Sequence, residues 1–218
     1  MQVNIIEEAG YNTALYGFSL SYKDRAIPRE EWWDHEEDIA HSTMHPLDDD
    51  DIKPEFLKIY KRMIQTAKTA TANAGRGMGH DKWLRQVQVW LDIEAPRYWF
   101  SEFDTYKVGT VAQSESTMHT LMKRDMAMGD LEGADYDKKY NEHVLALFNQ
   151  VRNAGAATPD LKKYVPESYL QRRVVSLNYA VLRCIIEQRK SHRLPEWHIF
   201  IDAIYSQCQH PELLPKRG

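Results

Sequence analysis

Cysteine is scarce in this chain. Its 218 residues hold two, Cys184 and Cys208, and they form no CxxC pair. Neither a disulfide framework nor a zinc site is suggested. No adjacent histidine or base marks either thiol as an activated nucleophile, so both are expected in the core. A basic excess is missing too: 28 Lys and Arg stand against 32 Asp and Glu, a net charge of −4. That argues against a general nucleic-acid binder, and no direct nucleic-acid binding is expected. No apolar run reaches membrane-spanning length, so no membrane association is expected. The opening MQVNIIEEAGY lacks the basic and apolar regions of a signal peptide, which makes a cytoplasmic protein the simplest expectation. Internal repeats, linkers and low-complexity tracts are absent. A single domain over 1–218 is therefore expected, with chain enough for a substantial core.

Aromatic residues, in contrast, are plentiful: twelve Tyr, six Trp and six Phe. Most belong in the core; some suit an oligomer interface or a ring-shaped ligand. Gln2–Ile6 reads as a short strand. Tyr22–Asp51, polar and broken by Pro28 and Pro46, reads as loop with short helices. Pro54 opens a helix in which Phe56, Ile59, Tyr60, Met63, Ile64 and Ala67 recur at helical spacing. Val87, Val89, Leu91 and Ile93 alternate with polar neighbours and Trp90, which predicts a strand. Pro96 starts a helix running to about Tyr106, and Val108–Ala112 is loop or strand. Helices are expected from about Ser116 and over roughly Tyr136–Asn153. The last third reads as helical: Val174, Leu177, Val181, Leu182 and Ile185 form one stripe. Pro195 then opens a final helix with Trp197, Ile201, Ile204 and Cys208 inward. The fold class is α+β, with a small sheet and a large helical part.

Four groups of polar residues are candidate sites. The glycines of GRGMGHD, at 75, 77 and 79, suggest a phosphate loop, but the Gly-Lys-Ser/Thr ending is missing; a helix C-cap and mobile loop is the better reading. His35, His41 and His45 lie near Glu36, Glu37, Asp38 and Asp48–Asp51. Their spacing fits no standard ligand set, and a solvated acidic surface is favoured over a metal cluster. Arg97–Met118 gathers Arg97, Glu102, Tyr106, Lys107, Thr110, Gln113, Ser114, Glu115, Ser116 and Thr117. A strand–helix–loop–helix layout would bring many of these to one edge, with helix N–H groups suited to a phosphate. The competing reading is a plain N-cap by Ser114 or Ser116. Arg189 extends the Val174–Ile185 stripe and needs a partner, either a carboxylate or a ligand's phosphate or carbonyl. Asn178 lies eleven residues earlier on nearly the same helix face.

Two of these regions resemble the signature motifs of flavin-dependent thymidylate synthases. In that family, Ser-Arg and a later Gln precede Arg-His-Arg-x-x-Ser-x-Asn-Glu-x-Ser-x-Arg. Here Pro96-Arg97 takes the Ser-Arg place, Glu102 the Gln, and Thr105-Tyr106-Lys107 the Arg-His-Arg. Thr110 takes the first Ser, Ala112-Gln113 the Asn-Glu, and Ser116-x-Met118 the Ser-x-Arg after one insertion. Upstream, Gly79-His80 and the strand Val87–Ile93 resemble the family's Gly-His-Glu and following strand. Val165-Pro166, Asn178 and Leu182 keep the places of Leu-Pro and of Asn-Ala-Arg-Ser-Leu. Arg189 falls on the arginine that contacts the base, Lys162 on one that contacts substrate, and Trp197-His198-Ile199 resembles Trp-Glu-Ile. The resemblance runs from about residue 1 to 210. Each motif is weak alone, and their order and spacing carry the match. Thr105, Tyr106, Met118, Ala180 and Cys184 replace an Arg, a His, an Arg, an Arg and an Asn. Three bidentate phosphate donors are thus gone. The lack of an activated cysteine separates the chain from the cysteine-dependent class of thymidylate synthase.

The resemblance implies the family's mixed α/β fold and a homotetramer with active sites between subunits. It implies C5 methylation, or a related one-carbon alkylation, of a pyrimidine deoxynucleotide such as dUMP. FAD would be the cofactor, held by Tyr106, Lys107, Val108, Gln113 and Asn178. NADPH and methylenetetrahydrofolate would be co-substrates. Glu102, Ser114, Ser116, Lys162 and Arg189 would bind substrate, with Arg189 also catalytic by polarising the pyrimidine. The alternative is a non-catalytic nucleotide-binding or structural homologue.

Overall fold

The computed structural model describes residues 1–22, 26–34, 54–73 and 81–217. The glycine triplet, His80, and the histidine and acidic cluster of 35–51 lie outside them. Strand β1 (Gln2–Ala9) is followed by helices α1 (Tyr11–Ser19), α2 (Arg29–Asp34) and α3 (Pro54–Asn73). A 3-10 turn, Lys82–Arg85, leads into β2 (Gln88–Pro96), α4 (Arg97–Phe103), a second 3-10 turn (Asp104–Gly109) and β3 (Thr110–Ser114). Helices α5 (Thr117–Thr120), α6 (Lys138–Asn153) and α7 (Thr158–Leu161) come next. The chain then runs through β4 (Leu170–Asn178), α8 (Tyr179–Arg189) and α9 (Pro195–Gln207). The fold class is α+β. The described strands form one antiparallel sheet in the order β1-β2-β4-β3.

The alternation in β2 does what its spacing predicts. Val89, Leu91, Ile93 and Ala95 are fully buried. Val89 pairs with Leu177 and Leu91 with Val175 across β4, so one sheet face is continuously apolar. Helices cover that face with Leu15, Phe56, Met63, Trp99, Leu182 and Phe200, all in one apolar cluster. A second cluster lies apart from it: Leu121, Met126, Leu131, Leu145, Phe148, Leu161, Val165 and Tyr169. At the β1 edge, Gln207 of α9 accepts from the Ile5 N–H at 2.9 Å and donates to the Val3 carbonyl at 2.9 Å. These bonds occupy backbone groups that a free edge would leave open to pairing.

Three expectations are corrected. Residues 170–178, expected to be helical, form β4. Val174 and Leu177 therefore belong to opposite sheet faces: Leu177 is buried and Val174 is 39% exposed. Asn178 does not sit along a helix face with Arg189; it is the N-cap of α8, accepting from the Val181 N–H at 3.1 Å, and Arg189 ends the same helix. The helix expected from Ser116 is the single turn of α5, with Ser116 as its N-cap but no side-chain capping bond. It is too short for aligned peptide dipoles to build an anion site.

Gly109 allows a close approach that shapes the site. A Cβ there would stand 2.2 Å from Cγ2 of Val181, so the 104–109 turn lies directly on the start of α8. Gly109→Ala is expected to cost about 1–3 kcal/mol by overpacking. Adding Val181→Ala should recover most of that loss, which paired denaturant melts would measure.

Candidate functional site: a cleft beside a clamped arginine

Two features meet at Tyr106. The first is a clamp around Arg189. The Arg189 Nη1 donates to Glu102 Oε2 at 2.9 Å, and its Nε donates to the Tyr106 hydroxyl at 2.9 Å. The guanidinium carbon lies 4.6 Å from the Trp197 ring centroid and 5.6 Å from that of Tyr106. Trp197 Nε1 donates to the same Glu102 oxygen at 2.9 Å, and His192 Nε2 lies 3.5 Å from it. Tyr106 in turn donates to Gln188 at 2.9 Å. The carboxylate expected as one possible partner of Arg189 is thus Glu102. The pair is not sealed off: the Arg189 side chain is 17% exposed and that of Glu102 32%. Arg189 keeps N–H groups beyond the two that are engaged, and a flat, stacked guanidinium can offer those to a carbonyl.

The second feature is an open cleft of about 960 Å³ between the 104–109 turn and α8. Its walls carry Thr105, Tyr106, Val108 and Gly109 on one side and Asn178, Ala180, Val181 and Cys184 on the other. Asp81, Arg85, Arg183 and Glu187 bring charge to it. Asn178 spends its side-chain oxygen on the helix cap, which leaves its amide N–H pair for the cleft. Volume and mixed apolar and polar lining suit a small-molecule site.

The structure therefore brings Glu102, Tyr106 and Arg189 into direct contact, and places Tyr106, Val108 and Asn178 on one cleft. Lys107 is exposed on the same turn. Gln113 and Ser114 are exposed on β3, Ser116 precedes α5, and exposed Lys162 opens the 3-10 turn after α7; none of these lines the cleft. Arg97 is engaged elsewhere, 3.4 Å from Glu167. Of the two thiols, Cys208 is a core group, its pKa pushed up to about 11 by burial and by the nearby Glu8 carboxylate. Cys184 departs from expectation: it is half-buried on the cleft wall and accepts from Gln188 at 3.3 Å. Arg85, Arg183, Asp81 and Glu187 were not singled out in the sequence. A cation at 183 beside Leu182 and ahead of Ile185–Ile186, on a helix with a buried side, was the available signal.

No family model matches this chain, and no curated protein matches it. Among solved structures it is similar to thymidylate synthase X (ThyX) from Helicobacter pylori with FAD and dUMP. The TM-score is 0.64 at 15% identity, over 98% of this chain and 97% of that one. A flavin-dependent thymidylate synthase ThyX from the same organism, complexed with FAD and dUMP, gives 0.63 at 16% identity over 98% of each. The fold is ThyX-like along nearly its whole length.

Proposed function

We propose that this chain is a divergent flavin-dependent thymidylate synthase-like enzyme. In this reading it methylates, or otherwise alkylates with one carbon, C5 of a pyrimidine deoxynucleotide such as dUMP. It acts as a single domain within a cytoplasmic homotetramer. The carrying observation is the meeting of the Arg189 clamp and the cleft at Tyr106, within a fold like that of proteins solved with FAD and dUMP. The cleft fits a flavin in volume and in donors: Asn178 offers its amide N–H pair, and Tyr106, Val108 and Val181 offer apolar or aromatic surface.

FAD, when bound, would carry the one-carbon unit from methylenetetrahydrofolate after reduction by NADPH. The chain's own groups bind and orient. Arg189 directs its remaining N–H groups at a pyrimidine carbonyl, stabilising the polarised, enolate-like form of the ring in which C5 is the nucleophilic carbon. Glu102, Trp197 and Tyr106 hold the guanidinium in place. Lys107 and Gln113 serve the cofactor. Ser114, Ser116 and Lys162, exposed and away from the cleft in one chain, serve the nucleotide in a site completed by another subunit.

The lost arginines set the expected affinity. Each missing charge-assisted contact costs about 1.5–3 kcal/mol, so Thr105 and Ala180 together weaken FAD by about a hundredfold or more. Titration should shift the flavin spectrum at high micromolar FAD. No shift at millimolar FAD would instead favour the non-catalytic homologue. Light scattering at micromolar protein should give a tetramer, and a monomer there would remove the shared-site assembly.

A further inference from the structure

The cleft carries two cations that the proposed cofactor contacts do not use. Arg85 ends the 82–85 turn and is exposed. Arg183 lies on α8, one turn beyond Ala180. Neither has a carboxylate within 4 Å among the described residues. The arginines of the sheet and of the second cluster do: Arg172 with Asp92, Arg173 with Asp104, Arg152 with Asp125. The Arg85 side chain has no partner at all among the described residues. Arg183 donates to the Leu213 carbonyl, and to that of Thr71 at 3.4 Å. Those two bonds leave part of its planar fork unused.

Arg183 is also partly withdrawn from water. Burial pulls its pKa down from the usual arginine range, and the charges of Asp81 and Glu187 oppose that pull. Removing a guanidinium from water without a paired anion is costly. An anionic ligand in the cleft would offset this, and the two positions where the family resemblance puts arginines, 105 and 180, are here Thr and Ala on the same walls.

We infer that Arg85 and Arg183 are the cationic contacts for the phosphate groups of a nucleotide held in this cleft, standing in for the charge absent at Thr105 and Ala180. The inference rests on the reading of the cleft as a nucleotide site. It adds that the anion is bound from the 82–85 turn and the middle of α8. Asp81 and Glu187 limit where that anion lies: it must approach the two guanidiniums and stay clear of both carboxylates.

Binding isotherms for FAD against riboflavin, and for dUMP against deoxyuridine, test this, with inorganic pyrophosphate as a probe that needs neither ring. Arg85→Ala and Arg85→Glu change an exposed side chain and should leave the melting temperature unchanged. Both should weaken FAD by about tenfold or more and leave riboflavin as it is. Should the loss fall on dUMP and spare deoxyuridine, the phosphate belongs to the substrate and the two arginines keep their role. Arg183→Lys retains charge and enough reach to preserve the fold while losing the fork, and should weaken the same ligand several-fold. If no flavin binds the wild type, the proposed function fails on its own. A pyrophosphate-induced rise in melting temperature that vanishes in Arg85→Glu would still support the phosphate site. Arg85→Glu matching the wild type for FAD, dUMP and pyrophosphate alike overturns the inference.

Discussion

Arg189→Ala is expected to abolish the response to dUMP and to cost the fold only about 1–2 kcal/mol. Two costs have to be compared. Stranding a buried carboxylate typically destabilises by about 3–5 kcal/mol. Glu102, however, has 32% of its side chain exposed, and Trp197 still donates to it, so its carboxylate rehydrates when the guanidinium is removed. What is lost is the bond to Glu102, the bond to the Tyr106 hydroxyl and the stacking on Trp197. Binding loses a group that nothing nearby replaces: the other Glu102 neighbour, His192, lies 3.5 Å from the carboxylate and has no stacked, planar fork to offer. Thermal melts with and without dUMP separate the two effects. A fall the size of a stranded buried charge, with an unchanged dUMP response in the surviving folded protein, would make Arg189 a structural residue.

Trp197→Ala should cost a large share of the stability, about 3–5 kcal/mol. The ring is fully buried, 4.7 Å from Trp99 and 5.9 Å from Phe200 by centroid, and it also carries the stack under Arg189. Trp197→Phe keeps most of the packing and removes the indole donor to Glu102, so it should cost about 1–2 kcal/mol. With that donor gone, Arg189 is the remaining hydrogen-bond donor to the Glu102 carboxylate among the described residues. Trp197→Phe should therefore weaken dUMP more than its melting temperature suggests. If affinity is unchanged in Trp197→Phe, the indole is packing only and takes no part in aiming the guanidinium.

The elements that were legible in the sequence have a single period from end to end. Val89, Leu91 and Ile93 alternate without interruption, and the stripe from Phe56 to Ala67 follows a proline start. Pro195 marks α9 in the same way. The segment from Leu170 to Arg189 was misread because its period changes in the middle with no Gly or Pro at the change. Val174, Leu177, Val181 and Ile185 happen to obey helical spacing, although the first two are strand residues. Only Asn178, as a cap, marks the junction. Within the site, the Glu102–Arg189 pairing was open to inference because a cation on a part-buried helix needs a partner. Arg85 was not, because no spacing links a 3-10 turn at 82–85 to a helix at 179–189. Antiparallel pairing of β2 with β4, which sets Gln88 opposite Asn178, brings them together.

The sheet order also dictates when this chain can fold. β1 pairs with β2 some eighty residues on, and β2 with β4 some eighty residues beyond that. The edge of β1 is then closed by Gln207, while Glu8 takes the Tyr179 hydroxyl and the Gln209 N–H. Contacts this distant in sequence are slow to form, since long loops must close before any contact repays them. On the ribosome, β1 waits unpaired on one side until β2 appears, and on the other until α9 has left the exit tunnel. Refolding from denaturant is accordingly expected to be slow. A chain stopped before Pro195 would display β1 as an open template for aggregation.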